Sequence, residues 1–360
     1  YFDVEKCQQK YLMHLEGKVN MANEIWKWIN LEVWFQEFID KKIVKTSDSQ
    51  ILKKQLSNYF EIINMVVCAI IPTYNRASYL RTLLTQLSSQ EKCEEVKLIP
   101  VVVVDGSTDN TYEMLASEFP KVHVLKGPGN WWWTKSVNEG IKISLLTYQP
   151  DEILFLNDDS QIAPQYIQLL VDSAESAGDN CIIGSISVTD KEPYKVSFSG
   201  VKEMNWFLLK KKNYYKSFEL LENIPSSGLF PTYALNGRGT LIKPSILRDL
   251  GFLNARSFPQ YGSDDDLALR AWKKGYKVLI SYSCRVIDRT ADTSKGAAYR
   301  QDSKLVFFKS FFIWNSVNYI PKQILFFYYH GIKILIPFYL LKFILGTSYA
   351  YLFKYKKIKI

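Results

Sequence analysis

The chain has 360 residues, of which 47% are hydrophobic and 22% charged, a composition typical of a globular protein. Its five cysteines are scattered and include no Cys-x-x-Cys pair, which argues against a disulfide framework or a zinc site and favours a reducing compartment. The net charge is +9, and the segment 303–360 supplies all of this excess because it holds nine lysines and no acidic residue. A basic, aromatic tail on a neutral body favours an anionic membrane surface as partner, and no nucleic acid partner is expected.

The first 64 residues show helical periodicity and no recognisable chemistry. Apolar and aromatic residues recur at roughly helical spacing over 24–44, and a second helix is predicted over 49–62. We therefore expect a helical N-terminal extension over 1–64 that serves packing and through which an oligomer could form.

From residue 65 onward, predicted strands and helices alternate. The predicted strands cover 66–71, 98–104, 122–125 and 153–156, and the predicted helices cover 77–89, 109–119, 134–146 and 164–177. This β-α-β order predicts a mostly parallel sheet with helices on both faces. Further strands are expected over 181–188 and 277–281, and Ser263 is predicted to cap a helix over 264–274.

Polar clusters follow three of these strands, at 72–76, 105–109 and 157–160. The carboxyl ends of strands in a doubly wound sheet can meet in one crevice, where such sheets bind ligands. There Asp105 could accept hydrogen bonds from a base or a ribose hydroxyl, and Asp159, with Asp158, offers the oxygen ligands that Mg²⁺ or Mn²⁺ prefers. The chain has neither a Gly-x-Gly-x-x-Gly motif after a strand nor a P-loop, which argues against a dinucleotide dehydrogenase or a P-loop enzyme.

A fourth polar cluster is acidic and lies at 261–267, with the sequence Tyr-Gly-Ser-Asp-Asp-Asp-Leu. Acids in the first turn of a helix can simply complement its dipole and bind its free amides. Alternatively, one of them is a general base. Residues two apart on a helix face different directions, so Asp264 and Asp266 are not expected to share one role.

Four segments together resemble a known family. They are Ala-Ile-Ile-Pro-Thr-Tyr-Asn-Arg at 69–76, Val-Val-Asp-Gly-Ser-Thr-Asp at 103–109, Leu-Asn-Asp-Asp-Ser at 156–160 and Tyr-Gly-Ser-Asp-Asp-Asp-Leu-Ala-Leu-Arg at 261–270. In this order and spacing, residues 65–290 resemble an inverting glycosyltransferase of family 2, of the type that builds bacterial cell-surface glycans. The resemblance implies an α/β catalytic domain over 65–290 with the GT-A fold, that of nucleotide-diphospho-sugar transferases. It would be followed by a basic, amphipathic, membrane-associating helical region over 291–360.

The resemblance also implies a base and a metal site. Asp264 matches the catalytic base, although Ser263 replaces the Glu that precedes it in the family and leaves Asp265 as an alternative. Asp159 matches the metal ligand at the end of the family's Asp-x-Asp motif, in which Asn157 replaces the first Asp.

Further positions take roles in metal and donor binding from the same resemblance. Asp158 would face the ribose or the metal, and Asp288 would replace a metal-binding His found in many relatives. The residues expected to bind the nucleotide sugar are Thr73, Asn75, Asp105, Asn138, Asp158 and Trp132. Trp132 is chosen from a run of three tryptophans that could stack on a sugar or belong to the core.

The C-terminal tail is dense in Phe, Tyr, Ile and Leu. Its apolar stretch over 324–346 is interrupted by His330, Lys333, Pro337 and Lys342. A transmembrane span needs about 20 largely uncharged residues, so helices that lie in the membrane plane with snorkelling lysines are favoured. The alternative is a soluble helical subdomain that covers the sheet.

Taken together, these inferences predict a peripheral enzyme at the cytoplasmic face of the cell membrane. With Mn²⁺ or Mg²⁺ as cofactor, it would move a sugar from a nucleotide-diphosphate sugar to a hydroxyl of a lipid-linked or cell-surface glycan acceptor. Two alternatives are a sugar-nucleotide nucleotidyltransferase, whose Gly-rich loop is not seen after Ile71, and a non-catalytic membrane-bound glycan-binding protein.

Overall fold

The computed structural model describes residues 65–91, 95–288 and 303–355. The predicted helical extension over 1–64 lies outside the described residues, as does its suggested part in an oligomer.

An alternating series of strands and helices occupies the first described half of the chain, as predicted. The strands are β1 Met65–Thr73, β2 Val96–Asp105, β3 His123–Gly127, β4 Glu152–Phe155, β5 Ser160–Ile162 and β6 Cys181–Thr189. The helices among them are α1 Ala77–Ser88, α2 Thr111–Glu118, α3 Trp132–Thr147 and α4 Tyr166–Ala177.

The later part is less regular and contains shorter strands. These are β7 Lys195–Phe198, β8 Val201–Asn205, β9 Lys210–Asn213, β10 Glu219–Leu220, β11 Leu229–Pro231, β12 Thr240–Ile242 and the long β13 Lys277–Asp288. The helices are α5 Pro244–Leu250, α6 Ser263–Lys273, α7 Lys304–Lys309, α8 Ile320–His330 and α9 Ile336–Tyr349, which a π-helical turn at Ala350–Tyr355 extends.

The central sheet is mostly parallel in its first half. Strands β2 and β4 flank β1 in parallel, and β3 continues the parallel arrangement beyond β2. Strand β12 then runs antiparallel between β4 and β6, and β13 pairs in parallel with β6. The carboxyl ends of β1, β2 and β4 therefore lie at one edge, as the strand order predicts.

Helices cover both faces of this sheet, which explains why its strands are almost continuously apolar. In the fully buried run 101–104, Val102 and Val104 face a core shared with α1 and α4, whereas Val101 and Val103 face a core shared with α3, α5 and α6. Alternate side chains of a strand point to opposite faces, so a sheet covered on both sides needs apolar residues at every position.

Most predicted bounds differ from the structure by no more than two residues, and two predictions in the later part are wrong in substance. Strand β13 extends well beyond the predicted 277–281, and its antiparallel pairing with β5 places Asp288 opposite Ser160. Ser263 is not the cap of α6 but its first residue, because Gly262, at φ 90°, takes the cap position. The buried Ser263 hydroxyl instead accepts a hydrogen bond from Thr134 Oγ1 at 2.9 Å.

The C-terminal helices pack on the catalytic part of the chain while leaving much apolar surface exposed. Helix α8 reaches α6, where His330 Nε2 lies 2.8 Å from Asp266 Oδ1. Residues 305–353 nevertheless contribute 17 of the 24 large apolar side chains that are exposed within the described part of the chain. One segment there, Lys333–Phe353, is long and apolar enough to cross a membrane by length and composition.

Candidate active site

The ends of β1 and β4 meet at two buried carboxylates. Thr73 Oγ1 donates to Asp158 Oδ2 at 2.8 Å. Arg76 Nη1 donates both to Asp158 Oδ1 at 3.2 Å and to Asp159 Oδ2 at 2.9 Å. Burial raises the pKa of Asp158 to about 6, against the opposing effect of the Arg76 charge. A single guanidinium thus bridges the two acids. This role of Arg76 was not predicted, although Arg76 follows β1, whose carboxyl end was expected to meet that of β4.

One carboxylate oxygen at this edge is available for a cation. Asp159 Oδ1 is buried and has no hydrogen-bond partner within the described residues. Burial raises the pKa of Asp288, and Arg238, with Nη1 2.5 Å from Asp288 Oδ1, opposes this rise. Asp159 is close enough for its charge to raise the pKa of Asp288 further. No group of three or more His, Cys, Asp or Glu side chains suited to a metal occurs in the described parts of the chain. Two carboxylates nevertheless fit Mg²⁺ or Mn²⁺, because such ions commonly take one or two carboxylates together with water and substrate phosphates.

Asp105, at the end of β2, holds the loop that precedes α3. Its Oδ1 accepts from the Gly129 N–H at 2.8 Å, and its Oδ2 accepts from the N–H groups of Trp131 and Trp132 at 2.8 and 3.0 Å. The carboxylate is 8% exposed. These bonds shape the loop around the crevice, and the contact of Asp105 with a nucleotide stays a prediction.

Two other residues that were predicted to bind the nucleotide sugar form hydrogen bonds with the backbone of this protein. Asn75, with φ 52°, accepts at Oδ1 from the Thr108 N–H at 2.7 Å and so joins the ends of β1 and β2. Asn138, within α3, donates to the Leu253 carbonyl at 2.8 Å and accepts from the Leu253 N–H at 3.1 Å. Both amides position the backbone, and their contacts with a donor sugar remain predictions.

Two of the three adjacent tryptophans, Trp132 and Trp133, lie in different surroundings. Trp132, with φ 57°, packs edge-to-face on Trp314 of the C-terminal region, with ring centroids 4.6 Å apart. Trp133 points to the end of β4, where its Nε1 donates to Asn157 Oδ1 at 2.9 Å. Trp133 also lies against Gly237, where an added Cβ would be only 2.4 Å from the indole. Trp133 is therefore the member of the run whose indole contacts the acidic strand end, and the sequence alone does not distinguish it from its two neighbours.

The candidate base lies in the first turn of α6. Asp264 Oδ2 accepts from the Gly237 N–H at 3.1 Å, and its Oδ1 accepts from the Asp265 N–H at 3.0 Å. Burial, and secondarily the charge of Asp265, raise the pKa of Asp264 to about 6. Asp266 has a different environment, since its buried carboxylate pairs with Arg270 Nε at 2.8 Å and with His330. The two acids thus differ in surroundings, as their helical spacing predicts.

A continuous series of contacts joins this base to the acidic strand end. The Gly237 N–H binds Asp264, the ring of Trp133 lies on Gly237, and the Trp133 indole binds Asn157, which directly precedes Asp158. Segments distant in sequence are thereby brought to one crevice at the carboxyl edge of the sheet. A half-buried carboxylate with a raised pKa, beside a pair of acids suited to a cation, can accept a proton near an anionic leaving group.

The architecture and this site define a GT-A glycosyltransferase fold. A solved structure with the same fold is that of GalNAc-T7, crystallised with UDP, GalNAc and Mn²⁺, which superposes with a TM-score of 0.52 over 81% of this chain and 58% of that one, at 13% identity. Residues 68–238 match the family model of glycosyl transferase family 2. The match covers the motifs at 69–76, 103–109 and 156–160 and confirms the family 2 resemblance over these residues, whereas the fourth motif, at 261–270, lies beyond it.

Curated relatives are distant and archaeal. The low-salt glycan biosynthesis hexosyltransferase Agl10 of Haloferax volcanii is 26% identical over 52% of this chain. An uncharacterized protein of Methanocaldococcus jannaschii is 28% identical over 64% of this chain and 85% of its own length. The match to Agl10 spans just over half of that protein, 57% of its length.

Proposed function

We propose that this protein is an inverting glycosyltransferase that moves a sugar from a nucleotide-diphosphate sugar to a hydroxyl group of a glycan acceptor. The observation that carries the proposal is the series of contacts from Asp264 through Gly237 and Trp133 to Asn157 and the acidic strand end. This series connects the proposed base to the proposed cation-binding edge of the same crevice. The family 2 domain and the hexosyltransferase Agl10 among its relatives support the same chemistry.

In this proposal Asp264 removes the proton of the acceptor hydroxyl as its oxygen attacks the anomeric carbon. The bond from that carbon to the diphosphate breaks in the same displacement, so the configuration inverts. The raised pKa of Asp264 makes it a stronger base than an exposed aspartate while leaving it mostly ionised at neutral pH. The hydrogen bonds from Gly237 and Asp265 fix its carboxylate for this transfer.

The edge formed by Asp159 and Asp288 is proposed to hold Mn²⁺ or Mg²⁺. A divalent ion bound there supplies positive charge that favours departure of the diphosphate. Two observations support this site: Asp159 has a buried oxygen without a hydrogen-bond partner in the described structure, and Asp288 is a second buried carboxylate close to it. Arg76 and Arg238 keep the carboxylates oriented through their ion pairs. The Mn²⁺ that accompanies GalNAc-T7 is consistent with this choice of ion.

We also propose that the enzyme works at the cytoplasmic face of a membrane, on a lipid-linked or cell-surface glycan precursor. The nine lysines and absent acids of 303–360, together with the exposed apolar side chains of 305–353, support contact with an anionic lipid surface. The free thiols of Cys68, Cys181 and Cys284 are compatible with a reducing compartment.

The proposal is tested by measuring binding and hydrolysis of sugar nucleotides. UDP-, GDP-, dTDP- and ADP-sugars are titrated into the full chain with MnCl₂, MgCl₂ or EDTA, and the melting temperature and the release of nucleoside diphosphate are followed. We expect one nucleotide class to stabilise the protein in a metal-dependent manner and to be hydrolysed slowly without acceptor.

Two aspartate variants test whether the metal-dependent stabilisation requires Asp159. Asp159→Asn should abolish the metal dependence, whereas Asp172→Asn, an exposed aspartate on α4, should behave as the wild type. Stabilisation without any turnover would favour a non-catalytic glycan-binding protein. A complete lack of response to all four donor classes, with or without metal, would overturn the proposal.

A further inference from the structure

A cavity of about 290 Å³ lies between the catalytic part of the chain and the C-terminal helices. One wall is the segment that leads into α6 and includes Arg256, Gln260 and Tyr261, and the other includes Trp314 and Lys322. Tyr261 is three residues from Asp264, the proposed base. The cavity is small, which suits a headgroup or a single sugar rather than a length of polysaccharide.

The cavity is positively charged. Arg256 and Lys322 both line it, and no acidic residue is among the described residues around it. The Arg256 side chain is exposed and forms no ion pair with a described carboxylate, so its guanidinium is available to a ligand. Lys322 is 7% exposed, with its ammonium 5.1 Å from the centre of the Tyr261 ring. The ammonium donates to the carbonyls of Ser316 at 3.2 Å and Val317 at 2.9 Å, so Lys322 contributes its positive charge to the cavity. Two cations beside aromatic rings favour an anionic ligand that also offers an apolar or sugar face.

The same cavity opens onto the exposed apolar surface of the C-terminal region. Trp314 and Leu325 line the cavity and are 46% and 36% exposed. They continue into a surface of exposed side chains that includes Phe312, Ile313 and Tyr328. A ligand whose charged group enters the cavity would therefore leave an apolar chain lying against this surface.

The cavity is also joined to the donor side of the crevice. Gln260 Oε1 accepts from the backbone N–H of Trp133 at 3.0 Å, and the Trp314 ring packs on that of Trp132. Residues that line the cavity thus contact the tryptophan loop that leads to the acidic strand end.

We infer that this cavity binds the phosphate or diphosphate group of a lipid-linked acceptor and so presents the acceptor hydroxyl to Asp264. The inference rests on the proposed glycosyl transfer and identifies its acceptor as an anionic lipid. Arg256 binds the phosphate oxygens, and the positive charge of Lys322 adds to their attraction. Tyr261 and Trp314 flank the first sugar, and the lipid chain follows Leu325 onto the apolar surface.

The test uses farnesyl diphosphate as the probe and isothermal titration to the full chain in EDTA, which prevents a metal-held diphosphate at Asp159. We expect farnesyl diphosphate to bind, and Arg256→Gln to weaken its binding by about tenfold or more because a charge-assisted contact is lost. Arg248→Gln, a matched change at another exposed arginine, should leave binding unchanged. Leu325→Asn, which removes apolar surface without adding charge, should weaken the binding of farnesyl diphosphate but not of inorganic pyrophosphate.

Two results would overturn the inference: equal binding of farnesyl diphosphate to the wild type and Arg256→Gln, or equal affinities for pyrophosphate and farnesyl diphosphate. Metal-dependent sugar-nucleotide binding is measured on the same proteins and should be unchanged in Arg256→Gln. A wild type that binds a sugar nucleotide but not the lipid refutes the acceptor cavity alone. A wild type that binds no sugar nucleotide refutes the proposed function itself.

Discussion

Replacing Gly237 with alanine would place a methyl group within the ring of Trp133. The new Cβ would lie 2.4 Å from Cζ2 and 2.5 Å from Cη2, whereas carbon atoms in contact are normally about 3.5–4.0 Å apart. The indole must therefore move by about 1 Å or more. The φ angle of Gly237 is outside the left-handed region, so the effect comes from space and not from backbone strain.

The expected cost of Gly237→Ala has two parts. Overpacking of a filled site typically costs about 1–3 kcal/mol. Loss of the 2.9 Å bond from Trp133 Nε1 to Asn157 adds about 1 kcal/mol. The free energy of unfolding should thus fall by about 2–4 kcal/mol in urea denaturation. Donor hydrolysis should fall by about a hundredfold, because a shift of about 1 Å in the indole disturbs the contacts that join Asp264 to the acidic strand end.

Two further variants decide whether the clash is the cause. Gly346→Ala, in helix α9, has no atom within 4 Å of its new Cβ and should not destabilise the protein. In a Trp133→Ala background, the additional cost of Gly237→Ala should fall below about 1 kcal/mol, since the two sites are coupled. An equal cost of Gly237→Ala in both backgrounds would refute the reasoning.

Three other predictions concern stability and pH. Burial raises the pKa of Glu152 from 4.5 to about 7, so its contribution to the free energy of unfolding is full below pH 4.5 and is lost as the pH rises through 7. Relative to their difference at pH 4.5, Glu152→Gln should gain up to about 3 kcal/mol in free energy of unfolding over the wild type at pH 8, measured by urea denaturation. An identical difference at both pH values would contradict this. His330→Ala removes a buried partner of Asp266 and should lower the free energy of unfolding by about 1–3 kcal/mol. An unchanged urea midpoint would show that this contact does not hold helix α8 against α6. The transfer rate should decline below pH 6 as Asp264 takes up a proton, with about a tenth of the rate left at pH 5, and a rate that is flat from pH 5 to 8 would argue against this base.

Local patterns predicted the strand and helix order because each buried strand is a short apolar run that ends in polar residues. The β1 prediction over 66–71 differs from the structure by one residue at its start and two at its end, and the α1 prediction over 77–89 differs only by one residue at its end. The convergence of the strand ends followed from parallel topology alone. The long reach of β13 to Asp288 was not predicted, because the β5 strand that pairs with it has only three residues.

Contacts between distant segments could not be predicted from the sequence. Trp132 and Trp133 are adjacent and chemically identical, and only the fold sends one to Trp314 and the other to Asn157. Ser263 had the sequence signature of a helix cap, but a tertiary contact with Thr134 took its hydroxyl. His330 carries no local signal at all, since its role depends on α8 packing against α6.

The central claim is that Asp264 is the base of a sugar transfer, and substitution by asparagine tests it most directly. Asparagine keeps the size of the side chain and can still accept from the Gly237 N–H, but it cannot take up the acceptor proton. With the donor class identified by the binding screen, turnover and donor affinity are measured on the wild type, Asp264→Asn and Asp265→Asn. The account predicts that Asp264→Asn lowers turnover by about 10²–10⁴-fold with donor affinity unchanged, and that Asp265→Asn has a much smaller effect. Near-wild-type turnover in Asp264→Asn would contradict it.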